Sequence, residues 1–213
     1  MTDLHPSPSK HLHGEKIILI GNPNVGKSVI FNYLTGKYVT VSNYPGTTVE
    51  VAIGSMTARW KKYQVIDTPG INSLIPMSED EKVTRDILLR EPFSHLVQVI
   101  DAKNLRRGLL ISLQLLEMGL PFMVVLNMWD EAKSRGVSIN LENLSDHLGM
   151  PVLKAVATRR KGLQKIAEHL RHRVLPSLSI HYPEAIEEGI CLLYTSDAAD
   201  DLLCVDLGGR RII

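Results

Sequence analysis

The stretch Gly21-Asn22-Pro23-Asn24-Val25-Gly26-Lys27-Ser28 decides the fold. It fits G-x-x-x-x-G-K-[ST], a phosphate-binding loop whose parts have separate physical jobs. The two glycines permit a tight turn, so that consecutive N–H groups point inward and form an anion-binding nest. Lys27 is expected to reach β- and γ-phosphates, and the Ser28 hydroxyl to bind Mg²⁺. The helix that begins here adds its positive N-terminal end. Candidate phosphate contacts run from Gly21 through Asn22, Pro23, Asn24, Val25, Gly26, Lys27 and Ser28 to Val29.

The flanks agree with this reading. Lys16-Ile17-Ile18-Leu19-Ile20 is a short apolar run suited to a buried parallel strand. After the loop, Val29, Ile30, Phe31 and Leu34 follow helical spacing, and Thr35-Gly36 closes the segment. Strand, glycine-rich loop and helix stand in the order a nucleoside triphosphate site needs.

Length and composition set the frame. The 213 residues fit one domain of ordinary size, and a hydrophobic fraction of 44% supports a substantial core. Net charge is +1, so no global basic excess points to nucleic acid. No long uncharged apolar run predicts a membrane span, and the N-terminus lacks the apolar stretch of a secretory signal. Cys191 and Cys204 have no metal-ligand spacing, and a reducing cytosolic setting is the default. Residues 1–14, with Pro6, Pro8 and His11 and His13, read as a disordered leader rather than a metal site.

Downstream, Tyr38 to Glu50 contains Pro45-Gly46-Thr47-Thr48, a turn followed by small hydroxyl residues and suited to a mobile loop. In a P-loop GTPase a threonine here gives its hydroxyl to Mg²⁺ and its N–H to the γ-phosphate, so the loop acts as a switch. Thr48 is chosen over Thr47 because it leads directly into the next strand. Val49 to Ala58 and Lys62 to Ile66 read as a hairpin turning near Arg59-Trp60-Lys61. The second strand ends in Asp67-Thr68-Pro69-Gly70. Asp67 is placed to hold Mg²⁺, and Gly70 to bring its N–H against the γ-phosphate. Ile71 stands where Ras-like proteins carry the water-orienting glutamine, so hydrolysis must draw on another group, a bound ion or a partner. Ser78-Glu79-Asp80-Glu81 opens a helix to about Arg90, its acids at the positive dipole end.

Leu96 to Asp101 is the next strand, Leu105 to Met118 an amphipathic helix closed by Gly119, and Pro121 to Leu126 another strand. It runs into Asn127-Met128-Trp129-Asp130, an Asn-x-x-Asp pattern. A carboxylate at Asp130 accepts the adjacent N1–H and 2-amino donors of guanine, and adenine leaves it unpaired. Asn127 would tie this base loop to the phosphate loop, with Met128 between. The nucleotide expected is GTP. Ser138 to Leu148 reads as a short helix and Pro151-Val152-Leu153 as a last strand. In Val156-Ala157-Thr158-Arg159, Ala157 and Thr158 are candidates for backbone contact with guanine O6. Gly162 to Val174 is a closing helix whose basic residues read as a solvated face. From about Ser179 the chain continues no earlier pattern and resembles translated adapter sequence, a short genuine appendage being the alternative.

As a set, Gly21-Asn22-Pro23-Asn24, Asn43-Tyr44-Pro45-Gly46-Thr47-Thr48-Val49-Glu50, Asn127-Met128-Trp129-Asp130, Leu113 to Glu117 and Ala157-Thr158-Arg159 resemble the cytosolic G domain of the FeoB ferrous iron transporter family. The resemblance covers about residues 14–175. It implies slow GTP hydrolysis with Mg²⁺, with GDP as product, in a domain that regulates Fe²⁺ uptake through a membrane-embedded permease on the same polypeptide. It implies activation by K⁺, with Asn24 at the position that helps hold the ion, and it places the domain in the cytoplasm at the inner face of a bacterial membrane. Oligomerisation would run through the membrane part.

The architecture expected is α/β: a P-loop GTPase fold with a doubly wound, mainly parallel sheet and helices on both faces. The domain division expected is a leader at 1–14, a G domain at 15–175 and a tail at 176–213. The catalytic set expected is Lys27, Thr48, Gly70 and Asn24. Ser28, Thr48 and Asp67 would serve Mg²⁺ and Asn24 K⁺. A soluble GTPase of ribosome or RNA maturation and a nucleotide-binding module with negligible turnover are the alternatives.

Overall fold

The computed structural model describes residues 15–36, 39–58 and 61–170. Residues 1–14, Lys37, Tyr38, Arg59, Trp60 and residues 171–213 lie outside them, and with them the expected leader, the expected tail and the end of the expected closing helix. Seven strands form one sheet in the order β2-β3-β4-β1-β5-β6-β7: β1 (Glu15–Gly21), β2 (Val39–Asn43), β3 (Glu50–Ala58), β4 (Lys61–Asp67), β5 (His95–Asp101), β6 (Met123–Asn127) and β7 (Val152–Lys154). β1 pairs in parallel with β4 and β5, and β5, β6 and β7 continue in parallel. β2 and β3 add an antiparallel edge. The expected mainly parallel sheet is present.

Helices cover both faces, and strand alternation explains why. Ile17 and Leu19 of β1 face α1 (Lys27–Thr35) and α6 (Leu163–His169), where Ile30, Phe31, Leu34, Leu163 and Ile166 are buried. Ile18 and Ile20 face the other layer, with α2 (Glu79–Arg90) and α3 (Leu105–Glu117) supplying Val83, Ile87, Ile111 and Leu115. Every residue from Ile17 to Ile20 is fully buried, which a strand covered on one side would not need.

Several boundaries differ from the sequence reading. The segment expected as a mobile loop begins with β2, an exposed edge strand. Val39, Thr40 and Val41 suit a pleated edge, and β3 offers the unpaired backbone that β2 satisfies. A short helix α4 (Trp129–Ser134) follows Met128 directly. Helix α5 (Leu141–Leu148) starts later than Ser138, because the Asn140 side chain caps it by accepting the Asn143 N–H at 3.1 Å. β6 starts at Met123, beyond Pro121, which has no N–H to give the ladder.

The carboxyl ends of β1, β4 and β6 deliver Gly21, Asp67 and Asn127 to one edge of the sheet. Asn22, Lys27, Asp67, Thr68 and Asn127 are all buried there, a polar layer above an apolar core. Leu115 lies fully buried at the α3–sheet contact. Leu115→Ala is expected to lower unfolding free energy by about 2–5 kcal/mol, read from urea denaturation; a loss under about 1 kcal/mol would contradict this packing.

Candidate functional site

The phosphate loop leaves β1 with its geometry dictated by close contacts. A Cβ on Gly21 would press into the Val99 carbonyl, and one on Gly26 into the Asn127 amide. Gly26 also has φ 85° and Asn24 φ 61°, the left-handed turns that curl the loop. Gly26 then caps α1, which starts at Lys27. The Asp67–Gly70 segment is sewn to this loop. Thr68 donates its N–H and hydroxyl to Leu19 O, at 3.2 and 2.9 Å, and Ile71 N–H donates to Gly21 O at 3.0 Å. Asn22 Nδ2 donates to Ile71 O at 3.0 Å. Gly70 lies so near Pro23 that a Cβ would sit 2.8 Å from its Cα. Lys27 Nζ donates to Asp67 Oδ1 and to the Thr68 carbonyl.

One side chain joins the two halves of the site. Asn127 Nδ2 donates to Val25 O at 2.8 Å, while its Oδ1 accepts the Ala157 N–H at 2.9 Å. Met128 turns the chain at φ 57°, and Trp129 N–H donates to Ala155 O at 3.2 Å. Lys154 lies over the Trp129 ring, 5.6 Å from its centroid. Asp130 Oδ1 accepts the Glu131 N–H at 3.0 Å, and Arg159 Nη1 lies 3.6 Å from Oδ2.

A cleft of about 570 Å³ spans both halves. Of the expected site residues, Asn22 through Val29, Gly70, Asn127, Met128, Asp130, Ala157 and Thr158 line it. Gly21, Asp67, Thr68 and Pro69 are not among the lining residues; Asp67 and Thr68 act through Lys27. Asp80, Glu131 and Val156 line the cleft and were missed. In the sequence Asp80 stands only as an acid at a helix start, and nothing in the spacing says that this helix begins at the cleft.

Thr47 and Thr48 also lie outside the lining. Tyr44-Pro45-Gly46-Thr47 is a closed turn, with Thr47 N–H on Tyr44 O at 3.0 Å and Gly46 at φ 78°. The Thr47 hydroxyl donates to Tyr44 O at 3.0 Å and accepts the Val49 N–H at 3.3 Å. The Thr48 hydroxyl donates to Glu79 Oε2 at 3.3 Å. Ile71 is fully buried in the core, so its side chain turns away from the cleft.

Against known proteins, the family model described as Ferrous iron transport protein B matches residues 15–170. The chain belongs to the FeoB family. It is 37% identical over 193 residues to the Fe(2+) transporter FeoB of Staphylococcus aureus, covering 88% of this chain and 29% of that protein. The chain thus spans under a third of that relative's length. The cytosolic domain of T. maritima FeoB in a GDP form superposes with TM-score 0.77 at 34% identity, covering 89% of this chain and 77% of that one. A mutant S. thermophilus NFeoB bound to GDP gives TM-score 0.75 at 35% identity, covering 87% and 73%. This is an FeoB N-terminal G domain with a P-loop GTPase fold.

In this FeoB domain the loop after Gly70 hangs from a buried carboxylate. Glu81 accepts the Met77 N–H at 2.9 Å and the Asn72 N–H at 3.2 Å. Those backbone donors, Met77 foremost, hold its pKa below the ordinary glutamate range despite the opposing effect of burial. From α3, Gln114 accepts the Leu74 N–H at 2.8 Å and donates to the Ser73 hydroxyl at 3.0 Å. A group with a lowered folded pKa adds stability above its unfolded pKa and loses it as pH falls through the folded value. Wild type is therefore expected to exceed Glu81→Gln by about 1.5–3 kcal/mol at pH 7. That margin should shrink below about pH 4.5, read from urea midpoints across pH 3 to 7. A margin independent of pH would contradict the ionised-acceptor role.

Proposed function

We propose that this domain binds GTP and GDP in the cleft, hydrolyses GTP slowly with Mg²⁺ and K⁺, and regulates Fe²⁺ passage through the membrane part of a full-length FeoB transporter. The observation that carries this reading is Asn127, whose one amide spans the phosphate loop at Val25 and the base loop at Ala157. A phosphate-binding loop and a guanine-reading carboxylate, Asp130, are thereby held across one cleft. The cleft volume suits a nucleotide. The GDP-bound relatives support it.

The roles follow from the donors present. Backbone N–H groups of residues 22–28 and the start of α1 cradle the phosphates, with Gly21 as the pivot of the turn. Lys27 has three N–H donors and uses Asp67 and the Thr68 carbonyl as acceptors for two, which leaves one for the β- and γ-phosphates. Gly70 gives its N–H to the γ-phosphate, held in register by Thr68 and Pro69 beside it. Because the Ala157 N–H is committed to Asn127, the donor toward guanine O6 is the Thr158 N–H.

Among the described residues no group of three or more His, Cys, Asp or Glu is placed to hold a metal. Ser28 and Asp67 are hard oxygen donors at the ends of neighbouring elements, and such a pair fits Mg²⁺ that keeps phosphate oxygens and waters as its other ligands. Bound there, Mg²⁺ neutralises charge on the phosphates; Thr48 would join the set from the neighbouring loop. Asn24, which lines the cleft with its backbone in the left-handed region, would hold K⁺ through its amide oxygen. An ion there meets the need left by Ile71, whose buried side chain cannot orient water. The domain is taken as residues 15–175, working in the cytoplasm at the inner face of the membrane, with self-association through the membrane part. Membership of the FeoB family favours this over a soluble ribosome factor.

GTP hydrolysis by the purified chain in KCl and in NaCl, beside Asn24→Ala, tests the reading. Faster turnover in KCl, lost in the variant, is expected; equal, very slow rates in both salts would leave a GTP-binding domain that needs a partner to act, without K⁺ activation. Asp130→Asn is expected to exchange guanine for xanthine preference, because the amide offers a donor where guanine needs an acceptor. Competition between GDP and XDP reads this out, and retained guanine preference would remove Asp130 as the base reader.

A further inference from the structure

We infer that Glu79, at the start of α2, is a positioning residue that latches Thr48 outside the nucleotide cleft and thereby sets the domain's preference between GTP and GDP. The inference rests on the reading of the cleft as a guanine-nucleotide site.

The loop carrying Thr48 is pinned at both ends. Val49 is buried, Tyr44 packs on the core around it, and the Tyr44–Thr47 turn closes between them. Thr47 spends its hydroxyl within that turn. Thr48 differs, because its hydroxyl reaches out of the loop to Glu79 Oε2 at 3.3 Å. Glu79 stands next to Asp80, which lines the cleft, so the latch sits at the cleft's rim.

A hydroxyl has one proton to donate, and here an anionic acceptor takes it. For Thr48 to turn its oxygen and N–H toward the phosphate end of the cleft, the loop must leave the place where Glu79 holds it. The γ-phosphate then draws on a conformation that the latch opposes. GDP, which has no γ-phosphate, is indifferent to it. A charge-assisted but exposed bond opposes the shift by a factor of about five.

Affinities of the full chain for GDP and for a non-hydrolysable GTP analogue with Mg²⁺ test the latch in four proteins: Glu79→Ala, Glu79→Gln, Thr48→Ala and the double variant. Glu79→Ala is expected to tighten the analogue about fivefold with GDP unchanged. Glu79→Gln, which keeps an acceptor oxygen, should retain much of the wild-type ratio. In the Thr48→Ala background, Glu79→Ala should change nothing. Equal effects of Gln and Ala, or the same gain without Thr48, would show that Glu79 acts only as a charge near the phosphates and would overturn the latch. Weaker analogue binding in Glu79→Ala would overturn it too, making Glu79 a guide instead. If wild type binds neither nucleotide, the cleft assignment itself fails and the latch with it.

Discussion

The site depends on the burial of polar groups that must find partners at the carboxyl edge of the sheet. Asn127 is the centre of that constraint. Its amide is buried and satisfies Val25 O and Ala157 N–H at once. Without it, two backbone groups would be stranded away from water at a cost of about 1–3 kcal/mol each. Gly26 has no room for a side chain because that amide occupies the space. The phosphate loop and the base loop are thus one object, although a hundred residues separate them.

The same logic ties the Asp67–Gly70 segment to the first strand. Thr68 and Ile71 bond to backbone carbonyls at either end of the loop's entry, and Asn22 closes the circuit. Lys27 is held against Asp67, so the main cation of the loop is paired within the fold. A buried ammonium and carboxylate are tolerable only as a pair, and each fixes the other at the place where phosphate chemistry needs it.

Between Gly70 and α2 the chain is a loop held by side chains from the elements around it. Glu81 and Gln114 hold the 71–77 segment by its backbone, and Arg107 reaches Asn72 Oδ1 at 2.6 Å. On the other side, Tyr44 and Val49 anchor the threonine loop. Ile71 and Leu74 on one side and Val49 on the other belong to the buried core, so side-chain-to-backbone bonds and apolar packing together hold these segments.

What the sequence by itself determined was whatever local chemistry encodes. Glycine spacing and the lysine–serine pair set the phosphate loop, an apolar run set the buried strand, and the end of the next parallel strand marked Asn127 and Asp130 as candidates for the same cleft. These signals survive because each works through its own backbone neighbours. The tertiary structure decided the relations that cross the chain. β2 became a strand because β3 had an open edge, Asp80 came to the cleft because α2 begins beside it, and the Thr48 hydroxyl found the Glu79 carboxylate. Glu81 looked like part of a helix cap, yet its carboxylate took the N–H groups of Asn72 and Met77. No short-range pattern could show this, because hydrogen-bond partners are settled by which groups burial leaves without water.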